Sequence, residues 1–324
     1  MKKVAVKANS NIALIKYWGK KDEDLIIPYN DSISLTLEEF YTITKAEIIE
    51  ADKDEFYLNG DLQEGKEYDK FKAFVDLFRE KSEKDIKVKV ESKNYFPTAA
   101  GLASSASGYA ALAGALDQIF DLNLSKKEIS IMARKGSGSA SRSVFGGLVQ
   151  WHRGNSDQTS FAEKIEDPTW DIGMLAIIVN DKKKKILSRA GMKQTVETCP
   201  YYKTWVESTH KDIDQMRDAI NRKDFDAIGK LAEFSALKMH ATMMATDPSI
   251  IYMEGLSIEI INRVKQMRAE GIKAYFTMDA GPNVKIITQE KYVDKIKESL
   301  SDIVEQDRMI YSGVGKDLEI LEVE

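Results

Sequence analysis

"PTAAGLASSASGYAALAGAL", residues 97–116, is the stretch on which the reading of the fold turns. A turn of proline, glycine and small residues runs, from Ser104, into an alanine-rich segment that reads as a helix packed closely on its neighbours. Small residues let a backbone turn approach a ligand. The free N–H groups at the start of such a helix, aligned with its dipole, favour phosphate. Ser104 and Ser105 add hydroxyls able to meet phosphate oxygens or a magnesium ion. The stretch is not a Walker A loop, because no Gly-Lys-Ser/Thr follows, and it lacks G-x-G-x-x-G. A tight helix–sheet junction would need the same small residues, so composition alone leaves both readings open.

Outward from this segment the hydrophobic period changes. Upstream, "VAVKA" (4–8), "SISLTL" (32–37) and "IKVKV" (86–90) alternate at period two and predict strands with one buried face. "LNGD" (58–61) reads as a hairpin turn. Downstream, "SKKE" (125–128) has capping-box spacing and opens a helix through Arg134. "MLAIIVN" (174–180) reads as a buried strand. Helices are then predicted over 203–222, 225–245 and 257–269, the last closed by Gly271. Strands "AYFTM" (274–278) and "VKIIT" (284–288) and a helix near 291–301 complete the pattern. A strand-rich half followed by a helix-rich half indicates an α+β protein of two lobes, 1–183 and 184–324, meeting near the solvated run "DKKKK" (181–185).

With 43% hydrophobic and 31% charged residues, the 324-residue chain has the composition of an ordinary globular protein. A formal net charge of −5 argues against a nucleic-acid partner, so any anion site must come from locally focused cations. No stretch reaches the length of a membrane span and the N-terminus lacks an apolar signal region, so no membrane partner is expected. Cys199, the only cysteine, cannot form an internal disulfide, and with His152, His210 and His240 it makes no zinc-ligand pattern. A reducing, cytoplasmic setting is the expectation.

Further stretches could carry chemistry. "KANSNIALIKYWGKK" (7–21) ends an apolar run in Lys16, Tyr17 and Trp18, with Gly19 before Lys20 and Lys21. It reads as a strand leaving the core or as an anion pocket. "GSGSASRSVFGGLVQW" (136–151) places Arg142, whose planar fork matches carboxylate or phosphate, one helical turn from the Ser139 hydroxyl. Val144, Phe145 and Leu148 imply that this segment packs down. "ILSRAGMKQTVET" (186–198) carries Ser188-Arg189 after a strand-like start, and alone it reads as surface chemistry. In "YFTMDAGPNVKII" (275–287) Asp279 follows an apolar strand, where an acid could serve as a base or metal ligand. The residues by themselves favour a turn aspartate. His240 in "ALKMHATMMA" reads as a core or interface histidine, and the methionines around it as core filling. No Ser–His–Asp arrangement is apparent.

Taken together these stretches resemble one family. "PTAAGLASSASG" is similar to the phosphate-binding motif of the GHMP kinase superfamily. "NIALIKYWGK", "GSGSASRSVFGG", "TVET", "MHATMMAT" and "MDAGPNV" resemble its decarboxylating branch, the mevalonate diphosphate decarboxylases, in order and spacing from residue 5 to beyond 285. The resemblance implies a ribosomal-S5-like N-terminal lobe, a ferredoxin-like C-terminal lobe and a site in the cleft between them. It also implies ATP and Mg2+ as cofactors, a phosphorylated mevalonate as substrate, and a homodimer. By the same resemblance Asp279 would act on the 3-hydroxyl and Lys16 would stabilise phosphoryl charge. Arg142, assisted by Ser139, would hold the substrate carboxylate, and Asn11 would orient nearby groups. Tyr17, Lys20, Ser188 and Arg189 would take the diphosphate. Pro97, Gly101, Leu102, Ala103, Ser104 and Ser105 would form the ATP phosphate loop, with Ser105 on magnesium. Asp31 and Ser141 depart from the family's frequent serine and cysteine, and neither touches the Asp–Lys–Arg set.

The same resemblance admits relatives that act on mevalonate 5-phosphate, or on mevalonate 3,5-bisphosphate without ATP. The intact phosphate motif points toward ATP use. A catalytically silent member should lack part of the site, and no part is missing from the sequence.

Overall fold

The computed structural model describes residues 2–95, 104–182 and 186–323. Pro97, Gly101, Leu102 and Ala103 of the expected phosphate loop lie outside the described residues. The strands are β1 (Lys3–Ile15), β2 (Lys20–Asp22), β3 (Ile27–Pro28), β4 (Ser32–Ile49), β5 (Glu55–Leu58), β6 (Asp61–Leu62), β7 (Lys87–Tyr95), β8 (Leu148–Trp151), β9 (Ala162–Glu166), β10 (Gly173–Ile177), β11 (Ala274–Met278), β12 (Val284–Thr288), β13 (Met309–Ser312) and β14 (Glu319–Val323). The helices are α1 (Gly65–Ser82), α2 (Ser104–Ile119), α3 (Lys126–Gly136), α4 (Ser188–Thr198), α5 (Tyr202–Asn221), α6 (Phe225–Met244), α7 (Gly255–Ala269) and α8 (Val293–Leu300). A 3-10 segment, Gly138–Val144, precedes β8.

The first sheet runs β14-β1-β4-β7-β5-β6, and β8 and β9 extend it from β4. The long β4 pairs with β7 through Tyr41–Ile49 and with β8 through Ser32–Leu35. Helix α2 packs on this sheet. Its Ala110, Ala111 and Ala113 are buried in one core with Val4, Val6, Ala8 and the α1 phenylalanines Phe71, Phe74 and Phe78. A Cβ at Gly114 would lie 2.9 Å from the Leu318 side chain and 3.1 Å from Val6. The small residues of α2 are therefore required by packing along its body. Its first two serines, by contrast, are exposed.

The second sheet is antiparallel, in the order β11-β12-β10-β13. One face packs on α7 and α8 through Ile260, Val264, Ile296 and Leu300. The other joins α5 and α6 in a core that also takes Ile12, Ile15 and Ile33 from the first sheet. The expectation of one buried face is corrected for 32–37, where every residue is buried, and β1 beyond residue 8 is likewise buried throughout. Past its irregularity at Asn9–Asn11, β1 leaves the α2 core and runs beneath the second lobe, so both of its faces are covered.

The sheets divide the chain earlier than the lysine run. Strand β10 is hydrogen-bonded between β12 and β13, partners that both come from the C-terminal half. The chain then returns, and β14 pairs with β1. Local signals hold where the chemistry is local. Asn59 and Gly60 adopt φ values of 54° and 96° between the paired Leu58 and Asp61. Ser125 and Glu128 form the expected capping box. Segment 186–198, with its strand-like start, instead places Ser188 at the first turn of α4.

Candidate active site

The cleft between the sheets gathers cations because β1 ends there. Lys16 follows the last residue of β1, and its backbone is fixed from both lobes. Its N–H donates to Ser235 Oγ of α6 at 3.0 Å, and its carbonyl accepts from Asn30 Nδ2 at 2.8 Å. The side chain is 1% exposed, with Nζ 2.8 Å from Asp279 Oδ1 and 2.7 Å from the Ala13 carbonyl. Burial lowers the Lys16 pKa, the Asp279 carboxylate opposes that shift, and Lys285 and Arg142 reinforce it. Asp279 stands just past β11 with its side chain 38% exposed. An anion that reaches solvent and is held by a buried cation can meet a ligand from one side only.

Arg142 comes from the 3-10 segment. Its Nε donates to Asn11 Oδ1 at 3.1 Å and its Nη1 to Ser32 Oγ. Asn11 is fixed in turn by donating from Nδ2 to the Ser139 carbonyl at 3.0 Å and to Ser143 Oγ at 2.8 Å. The guanidinium is buried, which brings its pKa down to about 10, against the pull of Asp279. Among the described residues no hydrogen bond uses Nη2, which remains to donate to an anion.

Tyr17 packs edge-on against Trp151 with centroids 4.8 Å apart. Burial raises its pKa, and the positive charges of Arg142 and, on α4, Arg189 oppose that shift. Ser188 and Arg189 open that helix, whose N-terminal N–H groups add to the positive end of the cleft. Lys20, on β2, is buried and ion-paired to Glu23. Gly19 separates it from Tyr17 at φ +106°, a conformation that suits glycine.

On the far side Ser104 and Ser105 are the exposed first residues of α2. Ser137 Oγ donates to Ser105 Oγ at 3.3 Å and lies 3.4 Å from Ser139 Oγ, so a string of hydroxyls links α2 to the Arg142 segment. Ser104, Ser105, Phe56, Leu58, Asn94 and Tyr109 line a hollow beside it. This hollow is apolar on one wall, with hydroxyls and a helix N-terminus on the other. Among the described residues no group of three or more His, Cys, Asp and Glu could hold a metal.

Three contributors escaped the sequence reading. Lys285 on β12 reaches Asp279 Oδ2 at 3.4 Å. His240, the expected core histidine, is buried in α6 and hydrogen-bonded to the main chain of Asp279. Burial, with the nearby Lys16, lowers its pKa to about 4 and keeps the ring neutral. Ser32 orients Arg142. The apolar run around Lys285 in "VKII" could have flagged it, since an ammonium inside a buried strand needs a partner.

The matches to known proteins agree with this arrangement. Residues 8–162 match the diphosphomevalonate decarboxylase-like N-terminal domain, and residues 174–319 the mevalonate 5-diphosphate decarboxylase C-terminal domain. The mevalonate diphosphate decarboxylase of Enterococcus faecalis, solved in complex with MVAPP, AMPPCP and magnesium, is 45% identical with a TM-score of 0.94, over 99% of this chain and 100% of that one. The diphosphomevalonate decarboxylase of Ganoderma lucidum is 38% identical over 89% of this chain and 78% of its own length. The phosphomevalonate decarboxylase of Haloferax volcanii is 35% identical over 99% and 98%. No helix among the described residues is long and apolar enough to cross a membrane. Two-lobe architecture, both domain matches and full-length similarity converge: this chain belongs to the diphosphomevalonate decarboxylase family and has its GHMP kinase fold.

Proposed function

We propose that the protein converts mevalonate 5-diphosphate to isopentenyl diphosphate, CO2, ADP and phosphate. The observation that carries this reading is the pairing of the buried Lys16 ammonium with the solvent-reaching Asp279 carboxylate, close to Arg142. The substrate's tertiary 3-hydroxyl is a poor leaving group, and the nucleotide with its magnesium supplies the phosphoryl group that turns it into a good one. Asp279 orients the 3-hydroxyl and takes its proton. Lys16 stabilises the charge that develops on the transferred group. Arg142 holds the carboxylate through its fork, with Asn11 and Ser32 fixing its plane and Ser139 beside it. As the 3-phosphate departs with its bonding electrons, the bond between the carboxylate and the adjacent carbon breaks. Its electron pair becomes the new C=C bond and CO2 leaves.

Tyr17, Lys20, Ser188 and Arg189 receive the diphosphate end in this reading. Ser104 and Ser105 receive the nucleotide phosphates, with Ser105 on magnesium. The buried lone cysteine suits a cytoplasmic setting, and the family resemblance supports a homodimer.

The test is incubation with mevalonate 5-diphosphate, 5-phosphate and 3,5-bisphosphate, each with and without Mg-ATP, measuring CO2 and ADP. Equal release of both from the diphosphate with ATP is the expected result. CO2 from the bisphosphate alone, or from the 5-phosphate in preference to the diphosphate, would overturn it.

A further inference from the structure

Lys285 is the second residue of β12, between Val284 and Ile286, both fully buried. It is itself 2% exposed, and its neighbours across the ladders are Ala176 and Thr277. An apolar side chain would suit such a position. A buried ammonium is costly there unless it is paired. Its Nζ donates to the Asn283 carbonyl at 3.2 Å and stands 3.4 Å from Asp279 Oδ2. Asp279 is thus gripped on both oxygens, by Lys16 on Oδ1 and Lys285 on Oδ2, and at its main chain by His240. The groups facing it are Lys16 from β1, Lys285 from β12, Arg142 from the 3-10 segment and the neutral His240 from α6. Lys182 lines the same side of the cleft.

A carboxylate held on one oxygen can still swing about its last torsion. Two ammonium groups on different oxygens set the plane of the carboxylate, and with it the direction of the lone pairs. We propose that Lys285 is a positioning residue for Asp279, fixing its second oxygen and keeping the carboxylate ionised as it engages the substrate hydroxyl. This rests on the role of Asp279 given above. An ammonium 3.4 Å from a carboxylate oxygen favours the ionised form of that carboxylate. Removing Lys285 should therefore move the loss of activity at low pH toward neutrality.

The experiment uses the full chain with Lys285→Met, Lys285→Gln and Lys285→Arg, each checked for folding by circular dichroism and thermal melting. Steady-state kinetics with mevalonate 5-diphosphate and Mg-ATP are measured from acid to neutral pH. The Asp279 carboxyl carbon is followed by NMR, with Asp279→Asn as the assignment control. The expected result is a fall in kcat of roughly tenfold or more with KM little changed in the Met and Gln variants. The acid limb and the carboxyl titration should both move up by about one pH unit or more, and Arg should restore them. If the Met variant does not fold, the Gln variant gives the reading. An unmoved carboxyl titration in a folded Met or Gln variant overturns the proposal. Full activity in Asp279→Asn would instead overturn the functional reading beneath it.

Discussion

Lys16 Nζ sits 2.8 Å from Asp279 Oδ1, so a single ion pair ties the end of β1 to the end of β11 across the cleft. In the proposed mechanism the chemistry and the docking of the two sheets share this contact. Asp279→Asn keeps the size and the acceptor oxygen but removes the charge and the proton-accepting ability. Turnover should fall by about 100- to 10,000-fold. Nucleotide affinity, measured by titration calorimetry, should stay close to wild type, because the Ser104–Tyr109 hollow lies apart from Asp279. Persistent turnover would return Asp279 to the role of a turn residue.

Arg142 offers a second test, because its fork is oriented by Asn11 and Ser32. Lysine keeps the charge but not the planar pair of donors. Arg142→Lys should weaken transition-state binding by about 1.5–3 kcal/mol, seen as a drop in kcat/KM for the carboxylate-bearing substrate. Nucleotide KM should change little. A variant with unaltered kcat/KM would show that the fork is not what holds the carboxylate.

Much of the fold was legible in sequence wherever the signal was local. The Ser125–Glu128 box, the Asn59-Gly60 turn and the apolar period of α5, α6 and α7 depend on residues a few positions apart. The edges of the sheets were not legible. Strands β13 and β14 exist because β10 and β1 lie beside them, and nothing in "EILEV" itself says so. The site divides in the same way. Lys16, Arg142 and Asp279 lie in motif-like stretches with a family resemblance. Lys285 and Ser32 matter because of partners 6 and 110 residues away in sequence, and only the tertiary structure brings the second pair together.

Asp31 has its own use. His152 stands between Asp31 Oδ2, at 3.5 Å, and Glu163 Oε1, at 2.9 Å. The bond to Asp31 raises the His152 pKa above 6.5, against burial and with help from Glu163. For Asp31, burial would raise the carboxyl pKa, but bonds from His152, the Arg153 main chain and Gln150 outweigh it and take it below 3.8. A raised histidine stabilises the folded state fully below pH 6.5 and loses that contribution as pH climbs through its folded pKa. The depressed aspartate contributes above pH 3.8 and fails as pH drops through its folded value. Melting temperature should therefore decline as pH rises past 6.5, and His152→Gln should flatten that slope without shifting the acid side by as much. A wild-type slope in His152→Gln would place the titration elsewhere.

Gly19 joins the two halves of the cation-bearing turn, and its substitution separates strain from contact. A Cβ there would lie 2.0 Å from the Tyr202 hydroxyl and 2.8 Å from Val196 Cγ2, on a backbone at φ +106°. That hydroxyl donates to the Trp18 carbonyl at 2.8 Å, while Trp18 Nε1 donates to Thr195 of α4 at 3.0 Å. The turn carrying Lys16, Tyr17 and Lys20 is thus clamped to the helix that carries Ser188 and Arg189. Gly19→Ala should cost about 2–4 kcal/mol in denaturant unfolding, part from backbone strain and part from the clash. Tyr202→Phe alone should cost about 1 kcal/mol, the worth of one hydrogen bond. In the double variant the clash with the hydroxyl is gone, while the φ strain and the contacts with Val196 Cγ2 and the ring carbon Cζ, at 2.8 and 2.9 Å, persist, so the combined loss should fall short of the sum. Strict additivity would mean that the Tyr202 hydroxyl contributes nothing to the demand for glycine at this position.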